Sequence, residues 1–184
     1  MKTGRLKIKD MTLIAMSSAL IAVCSWISIP LIVPITLQTF AVFVCAGILG
    51  KKRGLISIAL YMLLGAAGTP VFSGFRGGAG VLLGATGGYI IGFLFTALIV
   101  GAAADKWGRR TLALFLSMIL GMIACYTFGT AWFIYVYAQD TAGLSILNTL
   151  GLCVFPFLIP DSVKIILSVI VVKRLRKELY KAPT

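Results

Sequence analysis

The chain contains no histidine. Imidazole acid–base chemistry and a His-ligated metal site are therefore excluded. Acids are nearly as scarce, with 5 Asp and Glu against 17 Lys and Arg in 184 residues, a net charge of +12. Asp10, Asp105, Asp140, Asp161 and Glu178 are scattered along the chain and offer no carboxylate pair. No nucleophile–base set is visible either, so the chain is not expected to be an enzyme. Cys24, Cys45, Cys125 and Cys153 each lie in an apolar run, and none belongs to a C-x-x-C pair. A zinc site or disulfide framework lacks the spacing it needs, and buried free thiols act as small hydrophobes. No G-x-x-x-x-G-K-[ST] stretch occurs. The nearest piece, Gly47-Ile48-Leu49-Gly50-Lys51-Lys52, has the wrong spacing, so no ATP is bound through that motif.

Hydrophobicity is what the chain has in excess. Apolar residues make up 60% and charged residues 12%, whereas soluble domains run at about 45–50% and about 25%. The chain is too apolar for an ordinary soluble domain and too hydrophobic for disorder. The basic surplus does not indicate nucleic acid, because the basic residues fall between long apolar runs rather than on a polar face with interleaved aromatics. Met1–Asp10 carries four basic residues ahead of the run Met11–Ile29. That run exceeds the usual signal-peptide core of about 7–15 residues, and it is expected to stay as a first membrane helix.

A bilayer core of about 30 Å takes about 20 apolar helical residues. Charge-free runs predict an all-α integral membrane protein, one domain over 1–184. Its six helices are expected near 11–29, 38–50, 54–67, 87–104, 111–137 and 161–175, with a possible break at Gly129. Pro30, Lys51-Lys52-Arg53, Asp105–Arg110 and Pro160 supply the punctuation. Fifteen of the 17 basic residues fall in 1–10, 51–53, 105–110 and 173–184. Retention of positive charge in the cytoplasm sets orientation, so both termini are expected inside, and the basic C-terminus is expected to meet anionic headgroups. The outer segments 30–37, 68–86 and 138–160 are apolar and rich in Gly and Pro, as a cover over a small-molecule site would be.

Arg76 and Lys164 are the two basic residues left over. Arg76 sits in the glycine-rich stretch 68–92, where eight of the 20 glycines fall between 74 and 92. Gly74 and Gly77 fit a structured loop near a ligand, since glycine permits close backbone approach. Gly88 and Gly92 fit either a ligand or helix packing. Arg76 suits a carboxylate, and Tyr89 could bring a ring and a hydroxyl to the same pocket. Asp161 follows Pro160 and would cap a helix starting there; it could also pair with Lys164 three residues on. Ionisable residues within a span are costly and usually functional, so both are candidate ligand groups. Thr36 would cap the second helix, and Gln38 places an amide in apolar surroundings where it needs partners. Ala15 and Ala19 form a smooth stripe on the first helix, open to an internal helix or to a partner.

Taken together, Pro34-Ile-Thr-Leu-Gln38-Thr39, the Gly68–Phe72 turn, Gly84-Ala-Thr-Gly-Gly-Tyr89 and Pro156-Phe-Leu-Ile-Pro-Asp161…Lys164 resemble the BioY family. These are the biotin-binding S components of energy-coupling factor (ECF) vitamin transporters. The resemblance spans about 11–172, with Ala85 standing where the family often has Pro. It implies six helices holding one biotin near the outer side of the cell membrane. It further implies a transmembrane coupling protein that meets Ala15 and Ala19, and two ATPase subunits. The chain itself would then need no cofactor, since the partners would use the ATP. Another small vitamin as ligand, or a scaffold role with packing glycines only, are the alternatives to be tested.

Overall fold

The computed structural model describes residues 7–108, 110–137 and 146–179. In chain order it contains α1 (Ile8–Trp26), β1 (Ser28–Ile29), β2 (Ile35–Thr36), α2 (Gln38–Ala66), a single 3-10 turn (Ser73–Phe75), α3 (Ala79–Leu83), α4 (Gly87–Trp107), α5 (Thr111–Tyr137), α6 (Ile146–Cys153) and α7 (Phe155–Leu179). Ile8–Trp26, Gly87–Trp107, Thr111–Val136 and Thr149–Glu178 are long and apolar enough to cross a bilayer.

The helix α2 is two helices. Gly50 has φ +76° and breaks it into 38–49 and 51–66. Gln38 Nε2 donates to the Tyr61 hydroxyl at 2.9 Å although the two are 23 residues apart; in a straight helix that separation would be about 34 Å. A Cβ on Gly54 would lie 3.1 Å from Ala46 Cα, so the halves run antiparallel from a reversal at Gly50. The predicted helices 38–50 and 54–67 are both present. The turn is Gly50 itself, and Lys51–Arg53 form the first turn of the second half rather than a loop. Asp105 secures this reversal, since its Oδ2 accepts the Lys51 N–H at 2.9 Å.

The helix α4 packs between α2 and α5. Its seam with α5 closes on missing side chains: Gly88 lies against Trp132, Gly92 against Cys125, and Gly129 of α5 against the Tyr89 ring. That decides Gly88 and Gly92 for packing. Gly129 does not break α5, which runs unbroken over Thr111–Tyr137; the Tyr89 ring occupies the space a side chain there would need. The helix α7 lies parallel to the first half of α2, with Thr39 beside Asp161 and Gly47 beside Val172.

Two expectations about the region before Asp161 are corrected. The segment 138–160 is not a loop where it is described, because α6 and the first turns of α7 occupy 146–160; residues 138–145 lie outside the described residues. Asp161 is not a helix cap. The helix α7 begins at Phe155 and carries Pro160 inside. Pro156 sits in the first turn, where the proline's missing N–H would have had no partner anyway, and the helix continues through Pro160 at the loss of one hydrogen bond.

Polar contacts gather basic residues at one end of the bundle. There Arg53 meets Asp10 at 3.4 Å, Lys51 meets Asp105, and Arg176 donates to the Ala104 carbonyl at 2.7 Å. The opposite end carries the β1–β2 pair, in register Ser28↔Thr36 and Ile29↔Ile35, and the stretch 67–86.

Candidate functional site

A cavity opens at this second end, lined from α2, α4, α5, α7 and the stretch 67–86. Its wall is mostly apolar and includes Phe72, Ile90, Phe93 and Phe157, which are all buried. Polar side chains reach it from α2 (Gln38, Thr39), α4 (Tyr89), α5 (Tyr126) and α7 (Asp161, Lys164).

At their centre is an ion pair. Lys164 Nζ lies 2.5 Å from Asp161 Oδ1, and both residues are almost fully buried, at 7% and 2% exposure. The i, i+3 spacing on α7 puts them on one face. Lys164 also donates to the Thr36 carbonyl at 2.6 Å and Thr39 Oγ1 at 3.2 Å. An ammonium has three N–H donors, so Lys164 is fully engaged. Asp161 accepts from Thr39 Oγ1 at 3.1 Å on one oxygen and from the Tyr126 hydroxyl at 2.5 Å on the other. A carboxylate has about four acceptor positions, so this one, fixed from α2, α5 and α7, keeps acceptor capacity for a donor in the cavity. A buried charge pair persists only with such added hydrogen bonds.

The start of α2 supplies the adjoining wall. Thr36 Oγ1 accepts the Gln38 backbone N–H at 3.2 Å, but the cap residue of α2 is Leu37 and not the expected Thr36. Gln38, 5% exposed, donates to Tyr61, whose hydroxyl donates on to the Val71 carbonyl at 3.2 Å. Tyr89 enters from α4, with its hydroxyl 3.1 Å from Thr130 Oγ1. Arg76 stands on the exposed rim, and its Nε donates to the Ser73 carbonyl at 3.2 Å.

Of the residues singled out from sequence, Gln38, Arg76, Tyr89, Asp161 and Lys164 line one cavity. Gly74 and Gly77 do not. Gly74 has φ +71° and makes a turn, while a Cβ on Gly77 would lie 2.5 Å from the Thr69 carbonyl oxygen. Both shape the loop that carries Arg76. Tyr126 escaped notice because a tyrosine inside an apolar run reads as core. Its one available signal was that its hydroxyl, within such a run, has to find a partner. Thr39 was noticed only as part of a polar patch. Ala15 and Ala19 are exposed along α1, whereas Ser18 and Ala22 turn inward, with Ser18 Oγ donating to the Ser57 carbonyl at 2.7 Å. The small-residue stripe is thus not taken up by an internal helix among the described residues.

An apolar helical bundle with Lys51, Arg53 and Arg176 gathered at one end, and a partly polar chamber at the other, defines a membrane protein built to hold a small molecule. The chain belongs to the BioY family, whose model matches residues 1–181. It is 41% identical over 162 residues to the biotin transporter BioY of Thermotoga maritima, covering 87% of this chain and 91% of that one. It is 37% identical over 172 residues to the probable biotin transporter BioY of Pyrococcus horikoshii, covering 93% of this chain and 98% of that one. The fold superposes on a crystal structure of the S-component for biotin from an ECF-type ABC transporter with a TM-score of 0.85 and 32% identity, over 98% of this chain and 99% of that one.

Proposed function

We propose that this protein takes up biotin across the cell membrane as the substrate-binding S component of an ECF transporter. The observation that carries the reading is the buried Asp161–Lys164 pair, braced by Thr39 and Tyr126 in a chamber whose surface is mostly apolar. Biotin combines an apolar fused ring with two ureido N–H donors and a carboxylate on a flexible chain. Asp161 accepts from one ureido N–H through the acceptor position that Lys164, Thr39 and Tyr126 leave open. Tyr89 and Phe93 flank the ring system. Lys164 holds Asp161 in place, because its donors are already engaged; Arg76, at the rim with guanidinium donors beyond the one on Ser73, takes the carboxylate.

Saturable binding of radiolabelled biotin to the purified protein, displaced by biotin and not by riboflavin or thiamine, is the expected result; no saturable binding would refute the assignment. Arg76→Ala should weaken biotin binding about tenfold, the effect of one charge-assisted contact on an exposed rim. The same variant should leave the affinity for biotin methyl ester unchanged, and equal losses for both ligands would remove Arg76 from the carboxylate site.

The membrane arrangement that fits is six crossings: α1, the two halves of α2, α4, α5 and α7, with both termini in the cytoplasm. The end that gathers the basic residues faces inward, as charge retention requires, and the cavity opens outward. The α2 halves are short for a full crossing, and the connectors 27–37 and 67–86 complete the outer layer. Irregular backbone at that depth is tolerated where it is buried in protein or lines a cavity. The coupling protein contacts the exposed Ala15–Ala19 face of α1, and two ATPase subunits supply the energy this chain has no P-loop to provide. Ala15→Trp together with Ala19→Trp should therefore abolish biotin uptake in cells carrying those partners while leaving biotin affinity of the purified protein intact. Undiminished uptake by this variant would place the partner elsewhere.

A further inference from the structure

Residues 70–76 form a strap over the cavity, and three of them, Phe72, Ser73 and Arg76, line it. The root of the strap is firmly held. Ser25 Oγ and the Tyr61 hydroxyl both donate to the Val71 carbonyl, at 2.5 and 3.2 Å. The Phe72 ring fills the space of the absent Gly65 side chain, and Gly78 N donates to the Gly65 carbonyl at 2.7 Å. The tip is different. Gly74, Phe75 and Arg76 are exposed, and the bonds Phe72 N to Arg76 O and Arg76 Nε to Ser73 O stay within the strap.

A ring stack reaches from the tip to the helical body. The Phe75 ring stacks on Trp26, with centroids 5.0 Å apart and planes 25° from parallel. Trp26 is the last residue of α1, and its Nε1 also donates to the Pro70 carbonyl at 2.9 Å. Phe75 has φ +56°, the one non-glycine residue with positive φ among the described residues. A bulky side chain there is strained, and it persists only where its surroundings compensate. Glycine would take this backbone without cost, but it would forfeit the ring. Neither Trp26 nor Phe75 lines the cavity.

We propose that Trp26 and Phe75 are positioning residues that latch the strap across the mouth of the cavity and so set how fast ligand enters and leaves. The latch fastens the cavity cover to α1. Because neither residue lines the cavity, the latch acts on opening, which entry and exit share. Its use in biotin exchange rests on the function proposed above; its effect on opening does not.

Two measurements on the purified full chain in lipid nanodiscs test it. Phe75→Gly removes the ring and relieves the strained backbone, so loss of folding does not obscure the result; Trp26→Ala removes the other half of the stack. In each variant the association and dissociation rates of radiolabelled biotin should rise together, about tenfold, a rate change of the size one aromatic pair supports. The equilibrium Kd should change little. Trp26→Phe, which keeps a ring and loses only the Pro70 bond, should move both rates less. The second measurement needs no ligand. Cys125 and Cys153 line the cavity, and their alkylation by N-ethylmaleimide, followed by peptide mass spectrometry, should speed up about tenfold in Phe75→Gly, in step with more frequent opening. Unchanged alkylation in Phe75→Gly would overturn the latch whether or not the protein binds biotin. So would a faster dissociation with an unaltered association rate. Absence of biotin binding by the unmodified protein, with faster alkylation in the variant, would refute the biotin assignment and leave the latch standing.

Discussion

Asp161→Asn is expected to weaken biotin binding at least about 100-fold, because a site built to hydrogen-bond substrate N–H groups loses far more than one apolar contact when that partner changes. The carboxylate joins three helices through Lys164, Thr39 and Tyr126. An amide in its place offers one acceptor oxygen and turns a donor towards Lys164 or the ligand. The change also leaves the Lys164 ammonium unpaired in a buried site, at a cost of about 3–5 kcal/mol in stability. Affinity and stability therefore fall together in this variant, and a second variant separates them. Asp161→Asn with Lys164→Met removes the stranded charge, and thermal unfolding should return most of the way to that of the unmodified protein, since uncharged replacements of a buried pair are often neutral. Biotin binding should stay lost. Titration of both variants with radiolabelled biotin decides the matter. An affinity within threefold of the original in Asp161→Asn would mean that the ureido group is recognised elsewhere.

Gly50→Val is expected to prevent accumulation of folded protein. The residue has φ +76°, and a Cβ there would lie 2.0 Å from Asp105 Oδ1. A β-branched residue in the left-handed region is a severe steric outlier. Displacing Asp105 also removes the acceptor for the Lys51 N–H at the start of the second half of α2. Backbone strain of about 1–3 kcal/mol and a lost charged acceptor of about 1.5–3 kcal/mol together take a large share of the about 5–15 kcal/mol that typically separates folded from unfolded chains. The mechanism has a separate signature in the milder Gly50→Ala. Combined with Asp105→Ala it should cost less than the two single changes added together, because the clash disappears with the carboxylate; coupling of this kind is what contacting residues show. Fluorescence-detected size-exclusion melting of the four proteins gives the comparison, and strictly additive losses would show that the clash with Asp105 does not set the cost.

Much of the fold was legible because its signals are local. The apolar runs located α1, α4 and α5 closely, and the grouping of basic residues matches the end of the bundle where Arg53, Lys51 and Arg176 make their contacts. The start of α7 was misplaced because Pro160 looks like a stop. Whether a helix continues through a proline depends on the packing around it, which the local pattern does not contain. In the site, Asp161 and Lys164 stood out because charge is rare in this chain and expensive within a span. Gly74 and Gly77 were assigned to a ligand because a glycine that makes a turn and a glycine that admits a ligand leave the same mark in a sequence.

The sequence by itself determined the class of protein, the candidate site charges and the absence of any P-loop, since hydropathy, charge and motif spacing are properties of short stretches. Only the tertiary structure decided that Lys164 is fully engaged, that Tyr126 braces Asp161 from 35 residues away and Thr39 from 122, and that the end of α1 clasps the strap. Such meetings depend on which helix faces pack together, and that is settled by the fit of whole surfaces, as where Tyr89 lies against Gly129, not by the residues on either side of each one in the chain.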